Sequence, residues 1–270
     1  MHHTEVPHSG MLLILLVVIP AVLLVFYLLG AFRLRQSAQW SPWRIASFTT
    51  GIVLIVLSVL PPLANWAHHD LRGHMLQHLF LGMFGPLGLV FGCPGTLILR
   101  SVQARTARCF MDFLRLRPIR LLIHPITAAL LDIGGMYLLY LTPFFALSMM
   151  HPALFTLLHL HFVISGYLFT WSIAGPDPAP HRPGRTVRLT VLFLATAAHA
   201  ILGKLMYGYG YPHGTSASFF EIQAAAQWMY YGGDLAELLL MTAFFAAWFR
   251  HRSRLPGLLA DKNAPESVAK

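Results

Sequence analysis

Runs of about 20 apolar residues, the length an α-helix needs to cross a bilayer, recur from one end of this chain to the other. They constrain the fold before any motif is considered. Inside hydrocarbon every backbone amide must find its partner within the protein, so such runs become helices packed on one another. The expected fold class is all-α: a polytopic membrane protein built as a bundle of seven transmembrane helices, at about 11–31, 44–63, 71–91, 122–145, 152–174, 187–206 and 222–249. Composition agrees, since only 11% of the 270 residues are charged, against about 25% in soluble domains. Residues 1–255 read as one transmembrane domain and 256–270 as a charged, disordered cytoplasmic tail. The polar stretch 1–10 has no Lys or Arg, so it does not read as the start of a signal peptide, and the first run reads as a retained span.

Several local features refine this picture. Pro20 is expected to kink the first span, and Pro61-Pro62 close the second. Gly82, Gly85, Pro86 and Gly88 lie inside the third, where they permit close helix approach and a bend. Cys93-Pro94-Gly95 breaks that helix, and a short apolar segment continues to Leu99. Residues 104–116 read as an amphipathic surface helix. The two cysteines, Cys93 and Cys109, form no C-x-x-C pair, which excludes a thiol copper chaperone of that kind and any disulfide framework.

The net charge of +9 raises nucleic acid as a partner, but the basic residues form short clusters between apolar runs rather than one face. Those clusters fix the expected topology. Arg33, Arg35 and Arg44 fall between spans one and two, six arginines between three and four, and Arg182, Arg185 and Arg188 between five and six. Arg250, Arg252 and Arg254 follow span seven. The positive-inside rule then places the N-terminus outside and the C-terminus in the cytoplasm.

With topology in hand, sequence positions become depths at about 1.5 Å per residue. His74 and His78 stand i, i+4 at the head of span three and share a helical face. His78, His159 on span five and His199 on span six each come to about 10 Å below the outer surface. His161 points about 200° away from His159 round its helix and cannot face the same point. An imidazole inside a span suggests function, because burying it is costly. The alternative is that each histidine hydrogen-bonds across helices as structural glue. Imidazole mixed with methionine suits copper, and the nearby methionines are Met75, Met83, Met149, Met150, Met206 and Met229. Zinc is served equally well by imidazole. His68, His69 and Asp70 read as an external collar.

A deeper layer holds Asp132 on span four and Asp234 and Glu237 on span seven, about 15–20 Å from the outer surface. These acids are either a relay or cation path, or interhelical hydrogen-bonding groups. Gly232-Gly233, just before Asp234, would let another helix approach. There is no Walker A motif, nucleophile elbow or H-E-x-x-H, and an enzyme is not expected.

The series His74-Met75-Leu76-Gln77-His78-Leu79, Gly85-Pro86 and Gly92-Cys93-Pro94 carries a family resemblance. It continues in His151-Pro152 to His159, Phe162, Ser165-Gly166, Trp171 and Pro176-Asp177-Pro178. It ends in Glu221-Ile222-Gln223 and Met229-Tyr230-Tyr231-Gly232-Gly233-Asp234. Together they resemble the CtaG-type, seven-span cytochrome c oxidase assembly factors of bacteria. The chain departs from that pattern at Leu158, where the family often has an acid, at Glu221-Ile222, where it often has Asp-Gln, and at Cys93, where alanine is common. The resemblance implies a multi-pass protein of the bacterial plasma membrane that matures a haem–copper oxidase, with oxidase subunits as partners, supplying copper from the outer side.

On that basis His74, His78, His159 and His199 are expected to share one metal site, with Met75 as a soft ligand and His151 at its entrance. A His2-His3-His8 cluster at the N-terminus could capture metal. Zinc, haem held by axial histidines in an electron-transfer protein, and a metal or proton transporter running along the acids stay open as alternatives. A homo-oligomer is also compatible with the sequence.

Overall fold

The computed structural model describes residues 14–35 and 40–262. His2, His3, His8 and residues 263–270 of the expected tail lie outside the described residues. Prolines punctuate the chain. Proline lacks an N–H that the first helical turn does not need, and its fixed φ suits that turn. Pro42, Pro61, Pro94, Pro125 and Pro152 accordingly each open a helix: α2 (Pro42–Val59), α3 (Pro61–His69), α6 (Pro94–Ser101), α9 (Pro125–Leu141) and α11 (Pro152–Ala174). Before them comes α1 (Ile19–Arg35), entered through a wide π-turn at Ile14–Val18 just ahead of Pro20. The remaining elements are α4 (Leu71–His78), α5 (Gly85–Phe91), α7 (Ala104–Arg115), α8 (Arg117–Leu122), α10 (Phe144–Met150), α12 (Arg185–Tyr209) and α13 (Phe219–Lys262). Among the described residues every regular element is helical.

Among the described residues six segments are long and apolar enough to cross a membrane: Ile14–Leu34, Pro42–Val59, Leu71–Ser101, Pro152–Ala174, Arg185–Tyr209 and Phe219–Arg250. A seventh crossing depends on how α9 and α10 are counted, because they meet at a bend of 83°. The expected unbroken span through Phe145 is therefore corrected. Thr142 is held extended ahead of Pro143, the conformation that a following proline imposes, and the helix stops at Leu141. The second span is corrected likewise. It ends at Val59, and residues 61–69, which include His68 and His69 of the collar, form a helix of their own.

The third crossing runs through three conformations. α4 passes into a π-helical stretch, Leu79–Phe84, and then into α5. Pro86 has no N–H to offer the preceding turn, and the widened turn lies directly ahead of it. Cys93 then takes a left-handed conformation (φ 57°) and ends the run before α6. The expected surface helix is found as α7, with no buried residue.

Without a hydrophobic drive between helices in lipid, close packing must hold the bundle together. Glycines provide it around the third crossing. A Cβ on Gly51 of α2 would sit 2.7 Å from the Gly85 carbonyl oxygen. A Cβ on Gly166 of α11 would run into the carbonyl oxygen of Gly82. Large apolar side chains such as Phe26, Leu130 and Phe193 face outward, as a bilayer allows.

The two ends of the bundle differ. One carries Asp70, His151 and Gly210, the histidine end. The other carries the arginine clusters and a buried carboxylate, Asp177, which accepts from the Gly95 amide (2.9 Å), the Thr96 amide (2.7 Å) and the Thr96 hydroxyl. This caps α6 and ties the α11–α12 connection to the break after the third crossing. Tyr27 of α1 donates to the Gly92 carbonyl at 2.7 Å beside it and stacks on Phe48.

Two glycines test whether backbone approach holds the bundle. Gly166→Ala should lower stability by about 1–3 kcal/mol through overpacking. Gly134→Ala meets nothing within 4 Å and should stabilise by up to about 1 kcal/mol through helix propensity. Thermal denaturation in one detergent checks both, and equal shifts would refute the packing account.

Candidate functional site

α4 is pinned at its start. Asp70 accepts the Arg72 amide at 2.8 Å as the N-cap, and Glu221 accepts the Leu71 amide at 2.7 Å. With the helix begun there, the i, i+4 pair His74 and His78 turns inward, 5% and 2% exposed. His74 Nε2 and the Tyr140 hydroxyl of α9 share a hydrogen bond at 3.2 Å. The His78 ring stands edge-on to Tyr140 and to Phe162 of α11. His159 donates from Nδ1 to the Phe155 carbonyl of its own helix at 2.8 Å. A neutral ring so committed keeps its lone pair on Nε2, the arrangement in which histidine binds metals. His199 lies in full burial against Gly233, where a Cβ would run into its ring. Its Nδ1 is 3.6 Å from a Glu237 carboxylate oxygen.

The four imidazoles named from the sequence are thus neighbours. His74 lies within electrostatic range of His78 and His159, and His78 within range of His159 and His199. They do not form a closed coordination shell. Among the described residues no three His, Cys, Asp or Glu side chains converge as they would around an ion. What stands out is unmet bonding capacity. Nδ1 of His74, both ring nitrogens of His78 and of His199, and one oxygen of Glu237 are buried without a hydrogen-bond partner. Buried polar atoms are nearly always satisfied, by protein groups, ordered water or a bound group. Nitrogen donors with an adjacent carboxylate fit a transition-metal ion.

Below the imidazoles lie the acids. Asp132 accepts from Ser165 at 3.0 Å. Asp132 and Glu237 line one internal cavity of about 20 Å³ with Gly82 and Thr170, large enough for a single water. Asp234 does not line it. It is half-buried and within electrostatic range of Glu237.

The other expected residues are placed apart. Met75 is fully buried in the apolar core. His151 is exposed at the start of α11. His161 turns away to donate to the Leu131 carbonyl at 3.0 Å. Above the imidazoles, a cavity of about 440 Å³ opens at the histidine end, lined by His68, His69, Asp70, Met149, Met150 and Glu221 with Phe145 at its floor.

Comparison with known proteins follows the same lines. Residues 25–251 match the family described as cytochrome c oxidase caa3 assembly factor (Caa3_CtaG). The chain belongs to this family. Among curated proteins it is similar to an uncharacterized protein of Mycobacterium leprae, 27% identical over 92% of this chain and 40% of that protein. Uncharacterized proteins of Mycobacterium bovis and Mycobacterium tuberculosis are each 32% identical over 67% of this chain and 29% of their own length. The chain therefore spans less than half the length of these relatives. No solved structure matches.

Tyr140 and Ser165 were not singled out for a role in the sequence, and they complete the surroundings of His74 and Asp132. Tyr140 carried a usable signal: it sits next to the C-terminal end of α9, at the level of His74. The role of the family, assembly, is a non-catalytic one.

The cap of α4 gives a pH-dependent prediction. Hydrogen bonds from the Arg72 guanidinium hold the Asp70 carboxyl at about 2, below the ordinary 3.8. A depressed pKa gives stability that is complete above the unfolded value and lost as pH falls through the folded one. Wild type should exceed Asp70→Asn, which keeps the cap oxygen but loses the charge, at neutral pH. The gap should close between pH 3.8 and about 2. With Arg72 42% exposed the difference is at most about 1 kcal/mol. Melting temperatures across that range check it, and a gap independent of pH would refute the assignment.

Proposed function

We propose that this chain matures a haem–copper oxidase by holding copper among His74, His78, His159 and His199 and passing it to the copper centre of the oxidase. The observation that carries this reading is the cluster of buried imidazole nitrogens without partners, contributed by α4 and α12 beside a committed His159. Membership of an oxidase assembly family supplies the recipient. The partners in this reading are oxidase subunits, and the membrane is the bacterial plasma membrane. The histidine end faces outward and the arginines face the cytoplasm, the sense given by the positive-inside rule. In this reading His151, exposed at the start of α11, is the entrance residue, and Met75, buried next in sequence to His74, is the soft ligand.

A second reading, a cation or proton path, is supported by the cavity between Asp132 and Glu237. Such a path predicts metal- or proton-dependent flux in proteoliposomes, and the copper reading predicts none.

Metal analysis of the purified protein tests the proposal. Wild type should hold copper, and His78→Ala and His159→Ala should each lose most of it. Cells carrying either variant should accumulate oxidase deficient in copper. Unchanged metal content in both variants would sink the site, and a Soret band with bound haem in place of copper would replace it with an electron-transfer role.

A further inference from the structure

The cavity at the histidine end has a lining that packing does not explain. Met150 is 76% exposed and Met149 39% exposed, and both share the lining of the cavity with Asp70 and Glu221. The next residue, exposed His151, begins α11. Met149 and Met150 therefore offer two thioethers to the lining, with an exposed imidazole next in sequence. His68 and His69 of α3 stand on the lining opposite. Thioether sulfur is a soft, weak donor that selects Cu(I) over harder cations. Asp70 is paired with Arg72, so Glu221 is the lining carboxylate that adds negative charge beyond that pair.

The floor is as informative as the walls. Phe145 is 3% exposed, lines the cavity and stands edge-on to His74 with ring centroids 4.9 Å apart. It lies one helical turn from Met149 on α10, the short helix set off by the bend at Thr142-Pro143. One element thus carries both the sulfur donors and the ring that separates them from the buried imidazoles. A second line of rings leads inward from the same cavity: His68 stacks on Phe155 at 5.2 Å, and Phe155 lies 4.1 Å from His159.

We propose that this vestibule is a transient capture site for Cu(I), and that Phe145 is the barrier the ion passes to reach His74. The proposal rests on the copper reading above and extends it to the route of loading. The step is ligand exchange only. Cu(I) leaves an external donor for the thioethers of Met149 and Met150, then leaves sulfur for imidazole nitrogen, and no electron moves. A site on a path must bind firmly enough to admit the ion and weakly enough to release it. Exposed thioethers meet that condition, and four imidazoles would not.

The test uses the full chain in nanodiscs, with Cu(I) presented as its complex with a chromogenic chelator whose colour fades on transfer. Rate and final copper content are read separately for wild type, Met149→Leu/Met150→Leu and Phe145→Leu. Leucine keeps the volume of methionine and removes only the sulfur. The double variant should lose the fast phase of transfer and still reach the wild-type copper content. Phe145→Leu should load faster than wild type. A double variant with an intact fast phase, or one with reduced final content, overturns the capture role. Unaltered loading in Phe145→Leu overturns the barrier. If wild type takes up no copper, the copper reading itself falls, and this proposal falls with it.

Discussion

The contact between Gly166 and the carbonyl of Gly82 decides where everything else can stand. It allows α11 to lie against the third crossing backbone to backbone, as Gly51 allows α2 on the other side. In a bilayer such approach replaces the hydrophobic drive that would assemble a soluble bundle. It also sets the site. Gly82 is one turn below His78, and a Cβ there would come within 3.4 Å of the His78 ring. The π-helical stretch that holds Gly82 precedes Pro86, so the irregularity that accommodates the proline is also what surrounds the imidazole. π-Turns recur at functional positions for this kind of reason.

From the histidine end inward the polar groups are ordered by type. Thioethers and exposed imidazoles come first, then buried imidazoles, then carboxyls around a cavity of one water's size. His199 joins the last two layers, with its ring on Gly233 and its nitrogen facing Glu237. Each layer sits on several helices, so none can be assembled without the whole bundle. At the opposite end the buried Asp177 carboxylate performs a purely structural task with full hydrogen bonding. A satisfied acid at one end thus contrasts with imidazole nitrogens without hydrogen-bond partners at the other.

The imidazole layer was legible because proline and arginine mark where crossings begin and end. Depth along each helix then follows from residue counting, which brought His78, His159 and His199 to one level. Gly232-Gly233 was legible as a contact, and the structure supplies its partners, Leu79 and His199. Facing was harder to read. Asp132 and Glu237 share a cavity and Asp234 does not, a distinction that depends on helix rotation and not on depth. Tyr140 was obscured because tyrosine near a helix end is ordinarily interfacial. The break at Thr142-Pro143 was hidden by an apolar run that continues through it, since hydropathy does not register a missing N–H. Asp177 was visible only as part of a motif, because its partner Thr96 is 81 residues away in sequence.

The bend that ends α9 also has a consequence for the surrounding lipid. Seventeen residues give a helix about 26 Å long, shorter than a hydrocarbon core of about 30 Å. Its neighbours α11 and α12, at 23 and 25 residues, meet no such shortage. A short helix is matched by thinning of the bilayer, by snorkelling of its flanking residues or by association with other helices. The shortfall falls where α9 gives way to α10, at the bend of 83°, so α10 supplies the chain that α9 lacks while turning it away from the α9 axis.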